Sequence, residues 1–400
     1  MCRAGTRVLA IIGIVVLAAS AAAAWPADAA LRACRSRPAG LPQLRVDSWL
    51  KGVSVLSGCD AWAVGGYAGS HGNGGGLIEH WNGSSWSHRL VPGIEGLNGV
   101  AVLSRTDAWA VGSTFPAGPG IDRALTLHWN GRTWKPVPVP DTGHTKGSAL
   151  TGVSAVSPRD VWAVGEYQFG RQGVRDLIEH WNGRSWSRFQ GPRAAGAAVG
   201  GLDSVTAVRH DLVWATGGQE FNAEVPGAAL IRWNGRIWRK VRLPRPDHAL
   251  SIGFGQVTVI SLHDAWAVGG LSRRHVISAP LAMRWNGRTW QQTPMPAPSR
   301  ETSLSAVAAI SPANVWAVGS YGFSRGQHFL TRTLIEHWNG RRWRIVRSPN
   351  PSTADDELDG IAGSSASDIW AVGQFSQFGL TSIHPIAVHC CRWRVLPPGS

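Results

Sequence analysis

The stretch Leu177–Phe189, LIEHWNGRSWSRF, decides how this chain reads, because its opening seven residues return at Leu77 and Leu334. Asn-Gly between two alternating apolar runs is the strongest short hairpin signal. It predicts a type I′ turn with positive φ at both central residues. The same W-N-G-x-x-W frame recurs at Trp81/Trp86, Trp129/Trp134, Trp181/Trp186, Trp233/Trp238, Trp285/Trp290 and Trp338/Trp343, and degenerates to HCCRW ending at Trp393. Ahead of each frame stands a D-x-W-A-V-G element or a close variant, with its tryptophan at Trp62, Trp109, Trp162, Trp214, Trp266, Trp316 and Trp370. Of the 22 tryptophans, only Trp25 and Trp49 fall outside this pattern.

Seven copies of about 50 residues therefore fill most of the chain. Each copy opens on a bulky apolar residue (Leu50, Leu97, Leu150, Leu202, Phe254, Leu304, Leu358) and a strand of small residues. A turn, the WAVG strand, a loop and the hairpin follow, which predicts four antiparallel strands per repeat, A to D. A four-stranded sheet of this size cannot bury both faces alone. Repetition around an axis solves that, so the expected fold is all-β, a seven-bladed β-propeller over residues 50–400. The small residues of strand A fit the crowded axis, and the tryptophans fill the widening space between blades.

Repetition also gives a packing reading to the Glu79/Glu179/Glu336 and His80/His128/His180/His337 columns, since a catalytic acid and base are not needed once per blade. The Asp60/Asp107/Asp160/Asp264/Asp368 column reads as a turn residue capping the A-B connection. The acidic run Asp355 to Glu357 reads as a solvated loop in preference to a calcium site.

Spacing separates the two faces of the ring. The distance from the opening apolar residue to the strand-B tryptophan is 12 in every copy, and the C-D turn is equally fixed. The B-C and D-A connections vary, and they share one face. Binding evolves on such loops. Their aromatic and cationic residues, Tyr167, Phe169, Arg171 and Arg175, Tyr321, Phe323 and Arg325, and Phe375 and Phe378, are the candidate ligand-binding residues. Aromatic with cation suits a sugar ring or an anionic glycan; the alternative is that the rings fold back on neighbouring loops.

Residues 1–29 read as a signal peptide: Arg3 and Arg7, an apolar run from Val8 to Ala24, then A-D-A at Ala27 to Ala29. Lipidation at Cys34 and retention as an uncleaved anchor are the weaker alternatives. Residues 30–49 form an N-terminal segment, and the expected location is secreted or extracytoplasmic. The formal net charge of +14 falls by one with Arg3, Arg7 and Asp28 removed. For an exported chain this excludes nucleic acid as a partner and favours anionic polymers or lipid head groups, hence peripheral envelope association. Cys34, Cys59, Cys390 and Cys391 are an even set in an oxidising compartment, with two near each end of the ring, so Cys34 and Cys59 are expected to pair with Cys390 and Cys391.

The glycine doublets AVGG at Ala63 to Gly66, ATGG at Ala215 to Gly218 and AVGG at Ala267 to Gly270, each followed by its tryptophan pair, resemble the blades of kelch-type and galactose-oxidase-type propellers. Ser113, Glu166, Ser320 and Gln374 replace the second glycine elsewhere. The resemblance implies protein or glycan binding more than catalysis and transfers no fixed site. Copper chemistry of the galactose-oxidase kind needs a tyrosine and histidine set that Tyr67, Tyr167 and Tyr321, at equivalent blade positions, do not form. No cofactor and no metal are expected. The reading is a monomeric binding or scaffold module for an envelope glycan or a protein. Its rival is an extracytoplasmic carbohydrate-active enzyme using acids such as Asp122, Glu166, Glu220 or Glu224.

Overall fold

The computed structural model describes residues 40–42, 44–69, 74–115, 122–142, 145–169, 173–192, 201–217, 229–244, 246–274, 276–326, 328–377 and 382–389. The expected signal peptide, Cys34, Cys390 and Cys391 lie outside them. The chain folds as seven antiparallel sheets at 47–92, 96–136, 145–189, 202–240, 249–293, 302–346 and 356–389. The first six have four strands in sequential order; the seventh has three among the described residues. No helix among the described residues is long and apolar enough to cross a membrane.

The sheets close into a ring. Leu50, Ala61, Ala63 and Trp81 of blade one, with Leu41 of the preceding segment, share a buried cluster with Trp370, Val372 and Ala387 of blade seven. The Ile383 backbone N–H donates to Asp47 Oδ1 at 3.1 Å across the same seam. Cys59 lies in the A-B turn of blade one; the cysteines expected to pair with it lie outside the described residues.

Tryptophan geometry explains the rewriting of the motif. In blades one to six the strand-D tryptophan meets the strand-B tryptophan of the preceding blade edge-on: Trp186 on Trp109 at 5.2 Å and 89°, Trp343 on Trp266 at 5.3 Å and 89°, and Trp86 on Trp370 at 4.9 Å and 88° across the seam. The strand-C tryptophan packs tilted against the same ring, as Trp338 does on Trp266 at 5.0 Å. Edge-to-face packing is the favoured aromatic arrangement and adds to the area buried.

Three local devices set each blade. First, strand A carries a bulge, with register skipping Lys51, Asn98, Thr151, Asp203, Gly255, Ser305 and Asp359 in turn. The bulge presses a carbonyl against the glycine of WAVG: a Cβ on Gly269 would lie 2.0 Å from the Gly253 oxygen, and one on Gly165 2.0 Å from the Ala149 oxygen. Backbone cannot yield as a side-chain tip does. Gly269→Ala is therefore expected to destabilise by roughly 2–3 kcal/mol, read as a lowered urea midpoint. The same change at Gly93, which has no atom near its Cβ position, tests φ strain without a clash and should cost less.

Second, the C-D turn is not type I′. Only its glycine has positive φ (+94° at Gly83, +93° at Gly287), while the asparagine does not. Trp81 pairs with Trp86, which leaves a four-residue loop. Within it the Asn82 carboxamide oxygen accepts from the Ser84 and Ser85 amides at 2.9 and 3.0 Å. The asparagine acts through its side chain, closing the loop as an Asx turn. Third, the strand-C tryptophan donates its indole N–H to the A-B turn, as Trp81 does to Gly58 O (3.0 Å) and Trp233 to His210 O (3.1 Å). That ties both fixed turns to one face.

The aspartate column departs from its expected role. The A-B turn is capped by serine, with the Ser157 hydroxyl accepting from the Arg159 amide at 3.2 Å. The aspartates instead bind the histidine column: Asp160 Oδ1 lies 2.8 Å from His180 Nε2, and Asp107 Oδ1 2.9 Å from His128 Nε2. Each histidine packs against its own strand-B tryptophan, stacked in the case of His80 on Trp62 at 4.0 Å and tilted in the case of His128 on Trp109 at 4.4 Å. Blade five keeps this device with Arg284, bidentate to Asp264 and 5.2 Å over Trp266.

Candidate functional site: the axial cavity and the loop face

The bulged residues of strand A point to the axis because each has no partner in the ladder. Together with the residues that follow them they line a cavity of about 820 Å³. This column, Lys51, Asn98, Thr151, Asp203, Gly255, Ser305 and Asp359, differs in every blade apart from the two aspartates, although its flanks are repeated. The cavity continues to Ser251, Ser272, Ser278 and Ser303 in blades five and six. These lie at the strand ends nearest the B-C and D-A connections, so it extends towards the variable face.

Bonds between neighbouring blades hold much of the wall. Asn98 donates to Leu150 O at 2.9 Å, Thr151 to Leu202 O at 2.5 Å, and Thr206 to Val257 O at 2.6 Å. Lys51 Nζ lies 3.4 Å from Asp359 Oδ1 across the seam. Burial pushes the Asp359 carboxyl above the usual carboxylate range, against the pull of Lys51. Its Oδ2 is buried without a hydrogen-bond partner. Asp203, in blade four, is exposed towards the cavity. A hydroxyl-rich, acid-bearing lumen inside a chain of +14 charge is a local reversal of polarity.

The loop residues singled out by sequence do not form one cluster. Tyr167 is half-buried in the packing between blades two and three, with the Arg188 guanidinium 5.7 Å over its ring. Tyr321 packs between blades five and six, and Phe375 between blades six and seven, 5.2 Å from His384. Phe323 is covered by Arg332 at 4.8 Å, which is in turn bound to Asp356 at 2.6 Å. Arg175 and Arg325 are exposed. The Phe169 side chain, Arg171 and Phe378 lie outside the described residues, as do Glu220 and Glu224.

The acidic run is not a solvated loop. Asp355 Oδ1 accepts from the Thr331 amide at 2.8 Å, and Asp356 is fully buried, accepting from Arg332 and the Ser352 amide. It joins blade six to blade seven. The glutamate column is packing, but of a costly kind. Glu79 and Glu336 have 0% exposure and no hydrogen-bond partner on either oxygen, and burial pushes both up to about 8. Glu179 is held by Arg188 at 3.2 Å and rises only to about 7.

The axial column was missed by sequence reading. Its signal was present as a blade-specific position, polar in all blades but the fifth, beside the bulky apolar residue that opens each repeat. Among the described residues, no group of three or more His, Cys, Asp or Glu side chains is arranged to hold a metal ion.

No protein-family model matches this chain, and no curated protein sequence does. Solved structures match its fold. The β-propeller domain of the Trilobed protease from Pyrococcus furiosus superposes with a TM-score of 0.50 at 9% identity over 88% of this chain and 98% of that one. A PL25 ulvan lyase bound to a glycan fragment gives 0.50 at 10% identity over 84% and 91%. Pyrococcus horikoshii acylaminoacyl peptidase gives 0.51 at 10% identity over 85% of this chain and 51% of that one. The likeness is one of fold alone. The chain is a seven-bladed β-propeller with tryptophan-rich blades, and none of these neighbours ties it to kelch or galactose-oxidase proteins in particular.

Proposed function

We propose that this is an exported, non-catalytic binding propeller whose loop face takes the end of a cell-envelope glycan into the axial cavity. The observation that carries this is the cavity of about 820 Å³, lined by serine and threonine hydroxyls, Asn98, Lys51 and two aspartates. Alternating donors and acceptors fit sugar hydroxyls, and the volume lies in the range of small-molecule sites. Arg175 and Arg325 stand exposed at strand ends beside the B-C connections, where they add charge at the rim. The kelch-like character belongs to the same reading, supported by the doublets of blades one, four and five. Pairing of Cys59 with a cysteine beyond blade seven would lock the seam beside the cavity.

Titration calorimetry with oligosaccharides from envelope polysaccharide tests this. Saturable binding is expected, weakened at least about 10-fold by Asp203→Asn or Asn98→Ala as buried polar contacts to the sugar are lost. An unchanged thermal midpoint confirms folding. Absence of binding, or binding indifferent to both changes, overturns the reading. New reducing ends in the same mixture would favour the carbohydrate-active enzyme instead, with Asp203 and Asp359 as its acids.

A further inference from the structure

The face opposite the cavity mouth carries its own pattern. In blades two to six the residue after Asn-Gly is arginine: Arg132, Arg184, Arg236, Arg288 and Arg341. All five are exposed. Each has its backbone amide fixed on the preceding asparagine, at 2.9 Å for Arg184 and 3.1 Å for Arg236. The turn is the same length in these five blades, so the five side chains leave equivalent points of one plane. None makes an ion pair among the described residues; the arginines that do are others, such as Arg105, Arg209 and Arg284. No C-D turn contains an acid, and the aspartates of the A-B turns are engaged by histidine or arginine. Asp122, Asp141, Glu166, Glu301 and Asp355 belong to or border the B-C and D-A connections at the other face, while Glu79, Glu179 and Glu336 lie between blades and Asp203 and Asp359 at the axis. The ring is thus polar along its axis.

Apolar side chains stand within the basic arc. Val208, Ile237 and Leu262 are 40%, 49% and 42% exposed, all at or beside the turns of blades four and five. Packing does not account for them.

We propose that this turn face docks on an anionic lipid surface, with the five arginines against the head groups and Ile237 and Leu262 entering the interface. A plane of cations set around a ring matches a planar charged surface. A linear polyanion would reach a few tips and would have no use for the exposed apolar residues. Docked this way, the cavity mouth faces away from the bilayer. The proposal stands independently of what the cavity binds.

Co-sedimentation of the purified chain with vesicles tests it. Binding to phosphatidylglycerol–phosphatidylcholine vesicles is expected, falling steeply with added salt and absent with phosphatidylcholine alone. Replacing all five arginines by serine, the residue that blade one carries as Ser84, should reduce the partition coefficient by at least about 100-fold. Should that variant not fold, Arg236→Ser and Arg288→Ser singly are each expected to lose about 5-fold. Ile237→Ser with Leu262→Ser should weaken binding while leaving its salt dependence, and Arg89→Ser, on the outer edge of blade one, should change nothing. Equal binding to neutral vesicles, indifference to the arginine changes, or displacement by soluble polygalacturonate as effective as by excess anionic vesicles would overturn it.

Discussion

Replacing Trp266 by alanine is expected to destabilise the fold by about 3–5 kcal/mol, read as a shift of the urea unfolding midpoint. Its ring has 0% exposure and lies between Trp338 and Trp343 of the next blade, with Arg284 over one face. Truncation removes aromatic contacts from two blades at once and leaves a void that rigid sheets cannot close. Trp285 supplies the comparison. It packs on the same kind of cluster but is only half-buried, so Trp285→Ala should cost distinctly less. Equal effects at the two positions would mean that the interlocked rings are not what joins the blades.

The second large effect is a gain. Glu79 and Glu336 sit between blades with their carboxyls pushed up to about 8 by burial alone, from an ordinary value of 4.5. The folded chain therefore holds two protons that the unfolded chain releases above pH 4.5. Below that pH both states are protonated and there is no penalty. As pH rises from about 4.5 to about 8 the unfolded state binds fewer protons, stability falls, and above about 8 the loss levels off. At pH 7 the penalty is on the order of 3 kcal/mol per glutamate. Equivalent positions in other blades hold Leu127, Ile231 and Met283, so leucine is already accommodated at this place. Glu79→Leu with Glu336→Leu should raise the thermal midpoint markedly at pH 8 and little at pH 4.5, flattening the pH profile. A gain of the same size at both pH values would show that shape, and not ionisation, was the cause.

The repeat made the architecture readable. Blade number, four-strand order, the inner place of strand A and the grouping of variable connections on one face all follow from fixed tryptophan spacings, because a closed ring tolerates no change in them. What escaped was whatever depends on a partner distant in sequence. Arg332 covers Phe323 only because Asp356 of the next blade holds it, and no local pattern announces that. The Asn-Gly pair was recognised as a turn, but its type turned on whether Asn82 acts through its backbone or its carboxamide. Glu79 was legible as packing and illegible as unpaired, since burial without a partner is a property of the neighbouring sheet. The axial column lay in plain sight as the one position the repeat leaves free. The loop aromatics carry the stronger local pattern and lie outward from it.

The central claim is that seven tryptophan-bearing sheets close on themselves, with the first packed against the seventh. Crystal diffraction tests it most directly, through the self-rotation function and the density that follows. The account predicts a sevenfold pseudo-axis and Trp370 lodged against Trp81 and Trp86. Another symmetry, or an open arc in which those three rings are apart, would contradict it.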